Sequence, residues 1–252
     1  MGHPVTLVYL TTDDPLYLPA FFDRVLTARP DTAAVFVVPP LYRDQTPIAA
    51  ALRYLRTFGL RATCGLAART FAARARRRSI RATCDEHGVA CFAVDDVNDT
   101  EVLDRLAELG TDVLVSVSCP QIFHRPLIEL PARGCLNVHG AILPEYRGVL
   151  PSFWMLANGE ARAGVSVFFV NDTIDGGDLC GQRAFEIRPG ESLDSLLRRS
   201  KAVAADLVLE VLDDIEAGTT ARQPLEAGRG SYYSWPDRAA VRRFHAAGHR
   251  VW

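Results

Sequence analysis

The chain is predicted to be an α/β protein built on a doubly wound, mostly parallel sheet, with a small C-terminal appendage. Short apolar runs rich in β-branched residues alternate with segments of helical apolar spacing along most of its length. Polar residues close one of those runs and face a loop, the position at which open α/β sheets keep their ligands. Its 252 residues, 48% hydrophobic and 23% charged, suffice for a sizeable core. The α/β body is expected over 1–218 and the extension over 219–252.

In chain order, Val5 to Leu10 and Ala34 to Val38 read as strands, with a helix from about Pro19 to Ala28 between them. Helices are predicted over Pro47 to Leu55 and over much of Ala67 to Ser79, then a strand over Val89 to Val94. Asn98 is expected to cap the next helix, with Glu101 at capping-box spacing and Gly110 at its far end. Val113 to Val117 is a strand, followed by a loop and short helix. A helix starts at Pro151, buries Phe153, Trp154 and Leu156, and stops at Asn158-Gly159. Val165 to Val170 and Cys180 to Ile187 read as hairpin partners, and Ser192 to Ala217 as a long amphipathic helix ended by Gly218. The aromatic tail holding Tyr232, Tyr233, Trp235, Phe244 and Trp252 is expected in core or interface, the minority reading being a base-stacking platform.

Several function classes are excluded. The first turn, TTDDP, lacks GxGxxG and GxxxxGK, against the usual dinucleotide and triphosphate cradles. Six cysteines without a CxxC pair indicate neither a zinc site nor a disulfide framework, and no metal is expected. His245 and His249 are helix-spaced, but Gly248 interrupts them and no third ligand is evident. The N-terminus does not read as a signal peptide, and no apolar run approaches the ~20 residues of a membrane span, so a cytoplasmic protein with no membrane partner is expected. Net charge is −2 but uneven: residues 45–84 hold nine arginines and no acid, leaving −11 elsewhere. That stretch is either a solvated helix face or a patch for an anionic ligand.

The most informative stretch is CLNVHGAILPEYRGVLP, Cys135 to Pro151. Leu136 and Val138 alternate with Asn137 and His139, so an extended strand puts a carboxamide and an imidazole side by side on one face. Gly140, Pro144 and Gly148 then turn the chain away from the sheet.

NVHGAILPEYRG, followed by GVSVFFV and IDGGDL with Gln182 close behind, resembles the folate-dependent formyltransferase family, which includes methionyl-tRNA formyltransferase, glycinamide ribonucleotide transformylase and the sugar N-formyltransferases. The resemblance covers about Gly88 to Ile187 and implies a Rossmann-like core. It also implies transfer of a formyl group from 10-formyltetrahydrofolate, as co-substrate, to a primary amine, with Asn137, His139 and Asp175 around the formyl carbon. Asp178 is the lesser candidate for the acid. Elementary chemistry agrees: amine attack on a formamide carbonyl puts negative charge on its oxygen, which Asn137 can meet with a donor worth ~2.7–4 kcal/mol of barrier. His139 can take the amine's proton or, as a cation, hydrogen-bond the oxyanion, with Asp175 as its carboxylate partner. Orientation of two directly reacting substrates supplies up to ~7–11 kcal/mol.

By the same resemblance, Ser118, Cys119, Pro120, Leu143, Gly176, Gly177 and Asp178 are expected around the folate, and Arg147 and Gly148 around the acceptor. Arg147 can equally pair with an acid to hold its loop. Ala141 stands where most members have Ser, and the first strand lacks the family's usual Gly-containing turn. The expected acceptor is a small amine, such as an amino sugar nucleotide or a biosynthetic amine. Methionyl-tRNA formylation, a 10-formyltetrahydrofolate hydrolase and a folate-binding module without catalysis are the alternatives. Nucleic acid is not the expected partner, and a homodimer is left open.

Overall fold

A computed structural model describes residues 5–40 and 45–252. β1 (Leu7–Thr12), α1 (Leu18–Ala28) and β2 (Ala34–Val38) form the first unit. α2 (Pro47–Ala75), α3 (Ile80–His87), β3 (Ala90–Ala93), α4 (Thr100–Glu108), β4 (Val113–Val117), α5 (Arg125–Glu129) and β5 (Gly134–His139) follow. A two-residue strand β6 (Arg147–Gly148) and α6 (Pro151–Ala157) lead to β7 (Arg162–Phe169) and β8 (Leu179–Glu186). The chain then runs through α7 (Leu193–Ala217), β9 (Tyr232–Tyr233) and α8 (Arg238–Ala246).

The main sheet has seven strands in the order β3-β2-β1-β4-β5-β7-β8, parallel from β3 to β5 and antiparallel from β5 to β8. Both faces of its centre are covered, so β1 and β4 are buried at every residue. Alternation splits them cleanly. Leu7, Tyr9, Val113, Val115, Leu136 and Val138 meet α1, α3 and α7 on one face, whereas Val8, Leu10, Phe36, Leu114 and Cys135 meet α4 and α5 on the other. The order reverses between β1 and β4, which opens a crevice at their carboxyl ends.

Four expectations are corrected. The first strand lies two residues later than Val5 to Leu10, in register with β2 and β4 through Thr11. Helix also runs through residues 60–66, broken only at Gly59 (φ 82°, ψ 174°); Gly65 is tolerated there because the Trp252 indole occupies the space its side chain would fill. Ser79 does not end that helix but caps the next one, its hydroxyl accepting from Ala82 N at 3.1 Å. Asn98 is not a helix cap: α4 begins after Asp99, and the Asn98 amide instead accepts from His124 N at 2.7 Å and donates to Ile122 O, pinning the loop after β4.

Residues after Gly218 pack back onto the rest. β9 pairs in parallel with β6, and α8 lays Phe244 on Phe153 of α6 at a ring separation of 5.0 Å. Phe58, Phe153, Trp154, Phe244 and Val251 form a third apolar cluster beside the crevice.

Candidate active site

β4 ends one residue before Ser118, whose left-handed backbone (φ 57°) turns the chain sharply out of the sheet. Val117 pairs with Val138, so Ser118 stands beside His139 in the adjacent strand. Asn137 sits between Ser116 and Phe168 of the neighbouring strands. Its carboxamide has no protein hydrogen-bond partner among the described residues, although it lines the crevice.

His139 is 7% exposed. Its Nε2 lies 2.8 Å from the Tyr146 carbonyl, which can only accept, so Nε2 carries a proton. Nδ1 therefore faces Asp175, with Oδ1 at 3.8 Å, an ion-pair separation too long for a direct hydrogen bond. Asp175 holds a left-handed conformation (φ 50°), and its other oxygen accepts from Gly148 N at 2.8 Å. One loop thus supports both groups: Tyr146 orients the imidazole and Gly148 the carboxylate.

That loop is clamped in turn by the C-terminal segment. Tyr146 N donates to Ser231 Oγ (2.9 Å), Arg147 N to Ser231 O (3.0 Å) and Val149 N to Tyr233 O (2.8 Å). Gly148 is required there, since it has φ 93° and a Cβ would fall 2.3 Å from Tyr233 O. Tyr233 also stacks between Tyr146 and Trp154. Sequence reasoning did not assign Tyr146, Ser231 or Tyr233 to the site, and pairing across more than eighty residues leaves no local signal.

The crevice has two lobes that share Cys119, Pro120, Asn137, Gly148, Val149 and Asp175. The first, of about 560 Å³, is walled by Phe123 and Val170 and rimmed by Ile122, Ile174 and Tyr232. These three are 69%, 53% and 54% exposed, an apolar rim that water does not favour. The second, of about 460 Å³, sets Asp14, Ser118, His139, Ser200 and Lys201 among the apolar side chains of Leu150, Phe153, Leu197 and Trp235. The two lobes meet at Asn137 and Asp175.

Lys201, the chain's single lysine, donates to Ser118 Oγ at 2.7 Å. Burial of its ammonium pushes its pKa down to about 8, with the Asp14 charge opposing the shift. Burial raises the Asp14 carboxyl, opposed by the backbone N–H of Leu16 and then by Lys201. Burial also pushes the Cys119 thiol up to about 12, so Cys119 is no thiolate nucleophile near neutral pH.

The other expected residues fall less uniformly. Ser118, Cys119, Pro120 and Gly148 line the crevice. Leu143 does not: it is 2% exposed and packs with Phe168 and Leu179, while its carbonyl accepts from Gln182 Nε2. Gly177 serves backbone packing, since a Cβ would lie 1.7 Å from Phe169 O. Gly176 donates its N–H to Thr173 O within the same loop, and the Asp178 carbonyl accepts from Phe169 N. Arg147 forms no ion pair among the described residues; its Nη1 points at Ile174 O (3.4 Å) and its guanidinium lies 5.9 Å from the Tyr232 ring. His245 and His249 do not converge, because each Nδ1 is bonded to a backbone carbonyl. Among the described residues no cluster of three His, Cys, Asp or Glu side chains can hold a metal ion, and no helix is long and apolar enough to cross a membrane.

Against known proteins, the methionyl-tRNA formyltransferase of Geobacter metallireducens is 34% identical over 144 residues, which is 57% of this chain and 46% of the relative. The chain spans about half the length of the curated relatives it matches. In fold it is similar to glycinamide ribonucleotide transformylase 1 from Symbiobacterium toebii (TM-score 0.63, 18% identity, 89% of this chain and 95% of that one). It is also similar to an N-formyltransferase from Helicobacter canadensis solved with folinic acid and dTDP-3-aminofucose (TM-score 0.61, 16% identity, 97% of this chain and 81% of that one). The formyl transferase family profile matches residues 72–212, more than half of the chain and including Asn137, His139 and Asp175, and the chain belongs to the formyl transferase family.

Proposed function

We propose that the protein moves the formyl group of 10-formyltetrahydrofolate to a primary amine of a small molecule, with Asn137, His139 and Asp175 as its catalytic residues. The observation that carries this reading is the unpartnered Asn137 carboxamide at the junction of the two lobes, beside the His139–Asp175 pair. The first lobe fits the flat ring system of a folate, held against Phe123, Val170 and Ile174. Bound there, the folate supplies an activated formyl carbonyl. Folinic acid in the Helicobacter canadensis enzyme supports the same co-substrate.

The chain's own groups then divide the work. Asn137 Nδ2 donates to the oxygen that gains charge as the amine attacks. His139, its Nε2 proton committed to Tyr146, offers Nδ1 to the proton the amine sheds, Asp175 stabilises the resulting imidazolium across 3.8 Å, and the proton passes to the folate nitrogen as its bond to the formyl carbon breaks. Ser118 and Lys201 line the path of the acceptor. The methionyl-tRNA formyltransferases among the relatives favour a second reading, a tRNA-borne amine as acceptor.

The test is tetrahydrofolate release from 10-formyltetrahydrofolate by the purified chain, with and without a pool of small amines and charged initiator tRNA. Release that requires a small amine supports the proposal, release that requires tRNA transfers it to the second reading, and release without any amine replaces it with hydrolysis.

A further inference from the structure

Beside the second lobe lies another concavity of about 610 Å³, between α2 and the first turn of α8. Its walls carry Arg53 and Arg56, one helical turn apart on α2, and Arg238, the first residue of α8. Among the described residues none of these three guanidiniums forms an ion pair. Asp237, the acid in the groove, is already engaged as the cap of α8, accepting from Ala240 N at 2.7 Å.

Arg53 is preorganised. Its guanidinium lies 4.1 Å from the Trp235 ring centroid, Nη2 donates to Gln45 Oε1 at 3.1 Å, and Nε is buried without a partner. Such a fork, held over an aromatic ring, suits bidentate oxygens. Trp235 joins this groove to the crevice: it lines the second lobe, and its Nε1 donates to Thr57 Oγ1 at 2.9 Å on the groove side. Arg53, Arg56, Trp235 and Arg238 all lie outside the family-matched residues 72–212.

We propose that the Arg53, Arg56 and Arg238 groove binds the diphosphate of a phosphorylated small acceptor whose amine reaches past Trp235 to His139. The proposal rests on reading the second lobe, with His139 and Lys201, as the acceptor's. The turn after β1 cannot serve the phosphates, because Asp13 and Asp14 stand there. A long polyanion is disfavoured by the −11 carried outside residues 45–84 and by the pairing of Arg69 with Asp194 and Arg74 with Asp13.

Calorimetric titration with inorganic pyrophosphate, adenosine diphosphate and bulk tRNA, all without folate, tests this. Pyrophosphate and the nucleotide should bind, and Arg53→Gln with Arg56→Gln should weaken both at least about tenfold. Arg76→Gln with Arg78→Gln removes the same charge from exposed positions outside the groove and should change neither. Absence of diphosphate binding, equal weakening in the two double variants, or binding of tRNA alone would overturn the proposal. Tetrahydrofolate release with an uncharged amine but no diphosphate binding would sink the groove and keep the transferase, while the converse would sink the transferase and keep the groove.

Discussion

His139 is held by a carbonyl on one nitrogen and faces a carboxylate with the other, which fixes the job of every atom around it. Removing Asn137 should therefore act on the barrier and spare the fold: Asn137→Ala is expected to lower kcat by about 10²–10³-fold, read by tetrahydrofolate release, with an unchanged denaturation midpoint. Equal loss of stability would make Asn137 a structural residue. Lys201 gives a pH-dependent prediction. Its folded pKa of about 8 lies below the ordinary value of about 10.5, so between those limits the unfolded chain holds a proton that the folded chain lacks. The stability linked to this group is lowest below about pH 8 and rises with pH through that window. Lys201→Met should erase that rise, and a difference from wild type that stays constant with pH would refute the shifted lysine. Asn137 and His139 were legible because a period-2 strand must place them together. Lys201 was not: its environment is set by Ser118 and Asp14, residues more than eighty positions away.

At the scale of elements, the 140–150 loop gains its shape from β9. Gly148→Ala combines a positive φ with a collision on Tyr233 O, so a cost of about 1–3 kcal/mol is expected in denaturant titration. Transfer should be lost together with it, since Gly148 N also holds Asp175. Ser231→Ala is gentler. It deprives Tyr146 N of its acceptor and should cost about 1–3 kcal/mol if water does not replace it, with kcat falling more than KM changes. The elements that sequence located best end on local chemistry. α7 starts at the Ser192 cap, whose hydroxyl accepts from Ser195 N, and stops at left-handed Gly218. α3 escaped because its cap, Ser79, directly follows the arginine-rich end of α2 and reads as more of the same helix.

On the scale of the whole molecule, three apolar clusters flank the crevice, and the third is built by α2, α6 and α8 together. Phe244, fully buried against Phe153, is its keystone. Phe244→Ala should cost about 3–5 kcal/mol in chemical denaturation, and a value near zero would mean that the tail packs loosely. Sheet and crevice could be foreseen because strand alternation carries them, while the return of the tail could not, since Arg147–Tyr232 and Gly148–Tyr233 pairs lack any period of their own. That pairing has a kinetic consequence. Sheet strands β1 to β5 can assemble from contacts made early along the chain, but the loop under His139 and Asp175 waits for residues 231–233. Until those residues dock, a folding chain has strands β1 to β5 paired and its reaction centre slack. In a refolding experiment, secondary structure should return before catalysis.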